Sequence, residues 1–274
     1  MNAHFDNNER NEESFTKIEN KQMLFMSIKQ LKSSFDPKLA REIGDYLVLH
    51  YSAFELSELL SENVGSSSAI IYALQKHQSQ EAEQILVDLL SVTSLNDMNK
   101  HRIAIALGRF GSSSEVSLMA LTKLSKSENQ VADTALLSIG TMAYFTPEKA
   151  HSVTQLLREN IIQGESLATT VLAVANSKEP ELIDEIPPLL SHEDEMVKLN
   201  AIKVLTKQGA YQDMVVTALI NSPKTKFVDA FVRTFSETNQ ILTKNNFARL
   251  QKVLSETKNP IVEDKLSKFL VTAS

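Results

Sequence analysis

The side chains best suited to chemistry here are six histidines, two serine clusters, one acidic run and a basic C-terminal set. The histidines, His4, His50, His77, His101, His151 and His192, stand singly. No HExxH motif occurs and no two histidines lie four residues apart on a predicted helix, so the paired imidazoles of a zinc site are missing. His101 stands out only because it opens a predicted helix beside Arg102. The chain has no cysteine, which excludes disulfides, thiolate catalysis and Cys-ligated zinc. Ser66-Ser67-Ser68 and Ser112-Ser113-Ser114 have no nucleophile elbow and no motif-linked His and carboxylate; just ahead of predicted helices, they read as caps for free backbone N–H groups. The acidic run Glu179, Glu181, Asp184, Glu185, Glu193, Asp194 and Glu195 lacks the spacing and central glycine of a calcium loop, and reads as a solvated turn face. Gly108-Arg109-Phe110-Gly111 has neither the preceding strand nor the third glycine of a dinucleotide loop. No catalytic residue, metal ligand or cofactor site is implied.

Basic residues between Lys198 and Lys252 could contact phosphates or an acidic partner. The aromatics among them, Phe227, Phe231 and Phe235, recur at i, i+4 and i+8 and read as core rather than as platforms for stacked bases. Charge is unevenly spread. Residues 198–274 hold 12 Lys/Arg against 6 Asp/Glu, which leaves 16 against 28 for residues 1–197 and a formal net charge of −6 for the chain. Such polarity steers partners or favours head-to-tail association, or is a solvated surface with chance drift.

The elements that would carry these residues are helices. Seven glycines and seven prolines in 274 residues suit long helices with short turns and argue against a turn-rich all-β design. No apolar run approaches the about 18 residues needed to cross a bilayer. Residues 1–14 have little to bury and are expected to be disordered. The spacing predicts a first helix from Phe15 to about Ser33, a second opened by Asp36-Pro37, and a third opened by the capping box Ser52-Ala-Phe-Glu55. Pairs follow at about 99–110 with 113–126, 129–143 with 147–160, 165–176 with 179–190, 194–208 with 211–221 and 225–236 with 239–255, ending in 260–271. Gly108, Gly111, Gly140, Gly164 and Gly209 are expected at helix ends, where a left-handed residue satisfies orphan carbonyls. Pro187-Pro188 must break the helix predicted over 179–190.

The phrase Arg102-Ile-Ala-Ile-Ala-Leu-Gly108 returns in degraded form along the chain. Its equivalent positions are 75, 108, 140, 175, 206 and 236, with spacings of 33, 32, 35, 31 and 30. A period in this range is that of a solenoid, in which each unit buries its apolar face only against its neighbours. The expectation is an all-α, α-α superhelix of about six to seven helix pairs, a single domain over residues 15–274.

The stretch Asn99-Lys-His-Arg-Ile-Ala-Ile-Ala-Leu-Gly-Arg-Phe-Gly111 resembles the second helix of a HEAT-like (armadillo-type) repeat. His192-Glu-Asp-Glu-Met-Val-Lys-Leu-Asn-Ala-Ile-Lys-Val-Leu205 is similar, with its acidic turn followed by Ala and Leu at core spacing. The resemblance covers roughly residues 66–271 and implies that second helices line a concave binding face. Narrower resemblances point elsewhere. Asn129 to Ala143 is similar to the helical domain of vitellogenin-like lipid carriers, which also need large β-sheet regions missing here. HEAT-like DNA glycosylases use a basic cleft with Trp, and this acidic chain has no Trp. Hydroxylases of the deoxyhypusine type bind iron with several His-Glu pairs, and only His192-Glu193 is present.

The resulting expectation is a non-enzymatic scaffold binding a protein or peptide. Arg102, Arg109, Lys198, Lys203 and Arg233 are its candidate partner-binding residues, lying on predicted second helices where the core pattern leaves positions free. The alternatives are a lipid- or nucleic-acid-binding module of the same architecture and a HEAT-type enzyme with clustered catalytic groups. A cytoplasmic location follows if Met1 is the natural start, because residues 1–20 contain no apolar signal core.

Overall fold

The computed structural model describes residues 37–62, 67–92, 95–111, 114–127 and 130–273. The expected disordered segment 1–14 and the expected first helix lie outside these residues. Among the described residues there are fifteen α-helices and no strand. They are α1 (Pro37–His50), α2 (Ala53–Glu62), α3 (Ser67–His77), α4 (Gln80–Leu90), α5 (Asp97–Leu107), α6 (Glu115–Ser125), α7 (Ala132–Phe145), α8 (Ala150–Gln163), α9 (Leu167–Ser177), α10 (Pro180–Ile183), α11 (Glu195–Thr206), α12 (Gln212–Asn221), α13 (Thr225–Ser236), α14 (Lys244–Glu256) and α15 (Pro260–Thr272). None is long and apolar enough to cross a membrane.

Local chemistry explains several helix starts. Ser52 and Glu55 form the expected capping box: the Ser52 N–H donates to Glu55 Oε2 at 2.8 Å and the Glu55 N–H to Ser52 Oγ at 3.2 Å. Asn96, Asp194, Thr243 and Asn259 each accept a first-turn N–H of the following helix, a contribution of about 1 kcal/mol per cap. Ser114 departs from the expectation. It is the N-cap of α6, but its hydroxyl makes no capping bond; its backbone N–H donates instead to Glu83 Oε1 of α4 at 2.7 Å. Pro187-Pro188 truncates the helix predicted over 179–190, leaving the four residues of α10 and a 3-10 segment, Pro187–Ser191.

The chain divides into two compact units, Met1–Ser138 and Ile139–Ser274, with the division inside α7. In the first, α3 and α4, which match the helices that the spacing predicts at about Ser67–Lys76 and Gln80–Val92, pack respectively between α1 and α5 and between α2 and α6. In the second, α11 packs between α9 and α13, α13 also meets α15, and α12 lies between Pro187–Ser191 and α14. Within each unit, helices thus meet second neighbours in two series.

Side-chain hydrogen bonds between elements join residues 26 to 36 positions apart, several of them near 32. His101 Nδ1 meets Thr134 Oγ1 at 2.6 Å across 33 residues, Asn200 Nδ2 donates to the Ala168 carbonyl at 2.8 Å across 32, and Gln212 Oε1 accepts the Thr243 N–H at 2.9 Å across 31. These separations match the repeat read from the sequence.

Two glycines correct the sequence reading. Gly140 is not a helix end: it lies inside α7, where an added Cβ would stand 2.1 Å from the Ala173 carbonyl oxygen of α9. Gly108 does end α5, but in right-handed conformation at φ −66°, and a Cβ there would meet the Ser138 carbonyl at 2.6 Å. Both serve backbone-to-backbone approach between helices, of α5 with α7 and of α7 with α9. Only Gly164, at φ 72°, closes its helix in the left-handed region as expected. Ala104, Ala135, Ala173 and Ala201 are fully buried, consistent with small residues admitting close helix approach, and Phe227, Phe231 and Phe235 are core.

Candidate binding surface

The five expected contact residues divide between the units. In the first, Arg102 is half-buried on α5 and donates to Asn99 Oδ1 at 3.1 Å, and burial lowers its pKa. Arg109 is exposed, but α5 ends at Leu107, so Arg109 stands in the turn beyond the helix rather than on it. In the second, Lys198 and Lys203 are half-buried on α11, and Lys198 Nζ lies 5.7 Å from the centre of the Phe227 ring. Arg233, on α13, donates to Asp229 Oδ2 at 2.9 Å.

The second unit presents one accessible stripe per helix in the series α9, α11, α13 and α15. On α11 it runs through Met196, Leu199 and Lys203, at i, i+3 and i+7. The same spacing gives Lys226, Asp229 and Arg233 on α13, and Ile261, Asp264 and Lys268 on α15. On α9 the accessible stripe is Ala168, Thr169, Leu172, Ala175 and Asn176, and that helix contains no charged residue.

The third position of the stripe is a cation on three helices, and its surroundings differ. Arg233 pairs with Asp229 and Lys268 with Asp264, each four residues back. On α11 the residue four back from Lys203 is Leu199, and among the described residues neither Lys203 nor Lys207, the C-cap of α11, has a carboxylate within ion-pair distance. Asp229 also takes Lys265 across 36 residues, and Lys265 followed by Arg233 holds its carboxyl below the usual range. Glu195 takes both Lys224 and Lys226, whose hydrogen bonds hold its carboxyl down at about 2. Charge on α13 and α15 is therefore largely internally compensated. Among the described residues, Lys203 on α11 and Lys207 at its C-cap have no carboxylate partner, and they stand beside the uncharged α9.

The sequence reading missed Leu172, Met196 and Leu199 as surface features, while Lys207 was among the basic residues it offered for phosphates or an acidic partner. The i, i+3, i+7 recurrence was the available signal, but apolar residues at that spacing read equally well as core. A second feature lies at the ends of α13 and α15, a groove of about 510 Å³ lined by Phe235, Ser236, Thr238, Gln240, Ile241, Leu242, Phe269, Thr272 and Ala273. Phe235 and Phe269 form its apolar floor, edge to face at 5.4 Å. No group of three His, Asp or Glu side chains among the described residues is placed to hold a metal ion.

No protein-family model matches the chain, and no curated protein matches it. Among solved structures it is similar to one described as lipid–protein interactions in lipovitellin, with a TM-score of 0.55 and 17% identity over 91% of this chain. The chain spans 32% of the length of that structure, and the likeness is one of fold.

Proposed function

We propose that the chain is a non-enzymatic scaffold, an α-α superhelix of HEAT-like helix pairs that binds a protein or peptide along the face of its second helices. The architecture is supported by second-neighbour packing within each unit and by hydrogen bonds between helices at separations of 26 to 36 residues, several of them near 32. The observation that carries the binding reading is the accessible stripe of α9 and α11, where apolar side chains stand beside cations that have no carboxylate partner among the described residues. Neutral apolar surface supplies contact area, and uncompensated charge supplies orientation and association rate. Affinity capture from the native source, with partners identified by mass spectrometry, tests the reading. Lys198→Glu, Lys203→Glu and Arg233→Glu together should abolish capture; unchanged capture removes this surface from the interface.

A second reading is favoured by the fold likeness to lipovitellin and by the Phe235–Phe269 groove: a lipid-binding module. It predicts lipid co-purifying with the chain from its native source. Native mass spectra free of added lipid mass would remove it.

A further inference from the structure

We infer that the face formed by α9 and α11 docks an acidic amphipathic helix from a partner protein. This rests on the scaffold reading above and specifies the chemistry of its partner. Leu172, Met196 and Leu199 are accessible apolar residues on two helices that pack together, with Met196 53% exposed. An apolar strip on one helix pair matches the apolar stripe of a docked helix. The charge of the occupant follows from Lys203 and Lys207. The corresponding cations on α13 and α15 have aspartates four residues behind them, whereas Leu199 replaces that aspartate behind Lys203. A ligand carboxylate would take the place that Asp229 and Asp264 take on the next two helices. Gly140, set against the Ala173 carbonyl, lets the C-terminal part of α7 approach α9 closely.

Panning a displayed random-peptide library on the whole chain at near-physiological salt tests this. Enriched peptides should be net acidic, with apolar residues at i, i+3, i+4 and i+7. Their affinity should fall at least about tenfold for Lys203→Glu/Lys207→Glu and for Met196→Glu, but not for the charge-matched Lys244→Glu/Lys252→Glu on α14. Thermal unfolding monitored by circular dichroism should be the same for all these variants, since the altered side chains are accessible. Enrichment of basic peptides, or of acidic ones indifferent to reversal of Lys203 and Lys207, overturns the inference and leaves the scaffold reading standing. No enrichment at all sinks both. Two further results overturn it by giving the face another occupant. One is binding to phosphatidylserine vesicles that these substitutions abolish; the other is self-association in light scattering that they abolish.

Discussion

Glu83 of α4 and Ser117 of α6 lie 34 residues apart, and the buried Ser117 hydroxyl donates to Glu83 Oε1, the same oxygen that accepts the Ser114 N–H. One carboxylate of α4 thus caps the start of α6. Gln212 does the equivalent for α14, accepting the N–H of its N-cap Thr243 and the amide of Asn246. Loss of a buried acceptor leaves its donors unsatisfied, at about 1–3 kcal/mol. Glu83→Ala should lower the urea-unfolding free energy by that amount, and Glu83→Gln, which keeps an acceptor oxygen, by less. Equal stability of Glu83→Ala and the parent chain would show that this bond carries no net stability.

Gly140 and Gly164 should respond differently to alanine. At Gly140 the methyl would stand 2.1 Å from the Ala173 carbonyl, so two helix backbones must separate. The cost should reach about 2–3 kcal/mol, the upper range for overpacking. At Gly164 nothing lies within 4 Å and the penalty comes only from the left-handed φ of 72°, about 1 kcal/mol. Chemical denaturation of both variants checks the order, and the reverse order would contradict the close approach of α7 and α9.

Glu195 sets a pH dependence. Its carboxyl is held at about 2, against an ordinary value of 4.5, chiefly by hydrogen bonds from Lys224 and then Lys226. A depressed carboxylate stabilises the fold above its unfolded pKa and loses that contribution as pH falls from 4.5 toward 2. The pair is solvent-exposed, so the effect is small and salt-sensitive. A carboxyl-carbon NMR titration should place the Glu195 midpoint near 2, moving toward the ordinary value in Lys224→Ala/Lys226→Ala. A midpoint near 4.5 in the parent chain would mean the two lysines do not engage it.

Lys178 closes α9 in left-handed conformation at φ 58°, with its Nζ 3.6 Å from the centre of the Tyr144 ring. Glycine would relieve about 1 kcal/mol of backbone strain and forfeit a cation–π contact of about 0.5–1 kcal/mol. Lys178→Gly should therefore be close to neutral alone and stabilising by about 1 kcal/mol in a Tyr144→Ala background. A double-mutant cycle measures the difference, and a coupling of zero would mean the ammonium does not rest on the ring.

Much of the helical framework was legible in the sequence because its causes are local. Helical spacing, the Ser52–Glu55 box, the proline positions and the core run Phe227, Phe231 and Phe235 each depend on residues within about two turns of one another. Local rules failed where a helix distant in sequence intervened. Gly140 has the composition of a helix end, yet it sits mid-helix because Ala173 comes against it. Ser114 looks like an ordinary cap, but Glu83 takes its N–H from 31 residues away.

The candidate surface divides along the same line. The sequence by itself determined an all-α chain with a thirty-odd-residue period and a basic C-terminal stretch. Only tertiary structure decided which of those cations are compensated. It pairs Lys265 with Asp229, and Lys224 and Lys226 with Glu195, across 29 to 36 residues, and among the described residues it places no carboxylate at Lys203 or Lys207 beside the uncharged α9. Periodicity fixes which side of a helix a residue occupies. Which helix lies alongside, and in what register, depends on packing between residues a whole repeat apart, and that packing sets both burial and charge pairing.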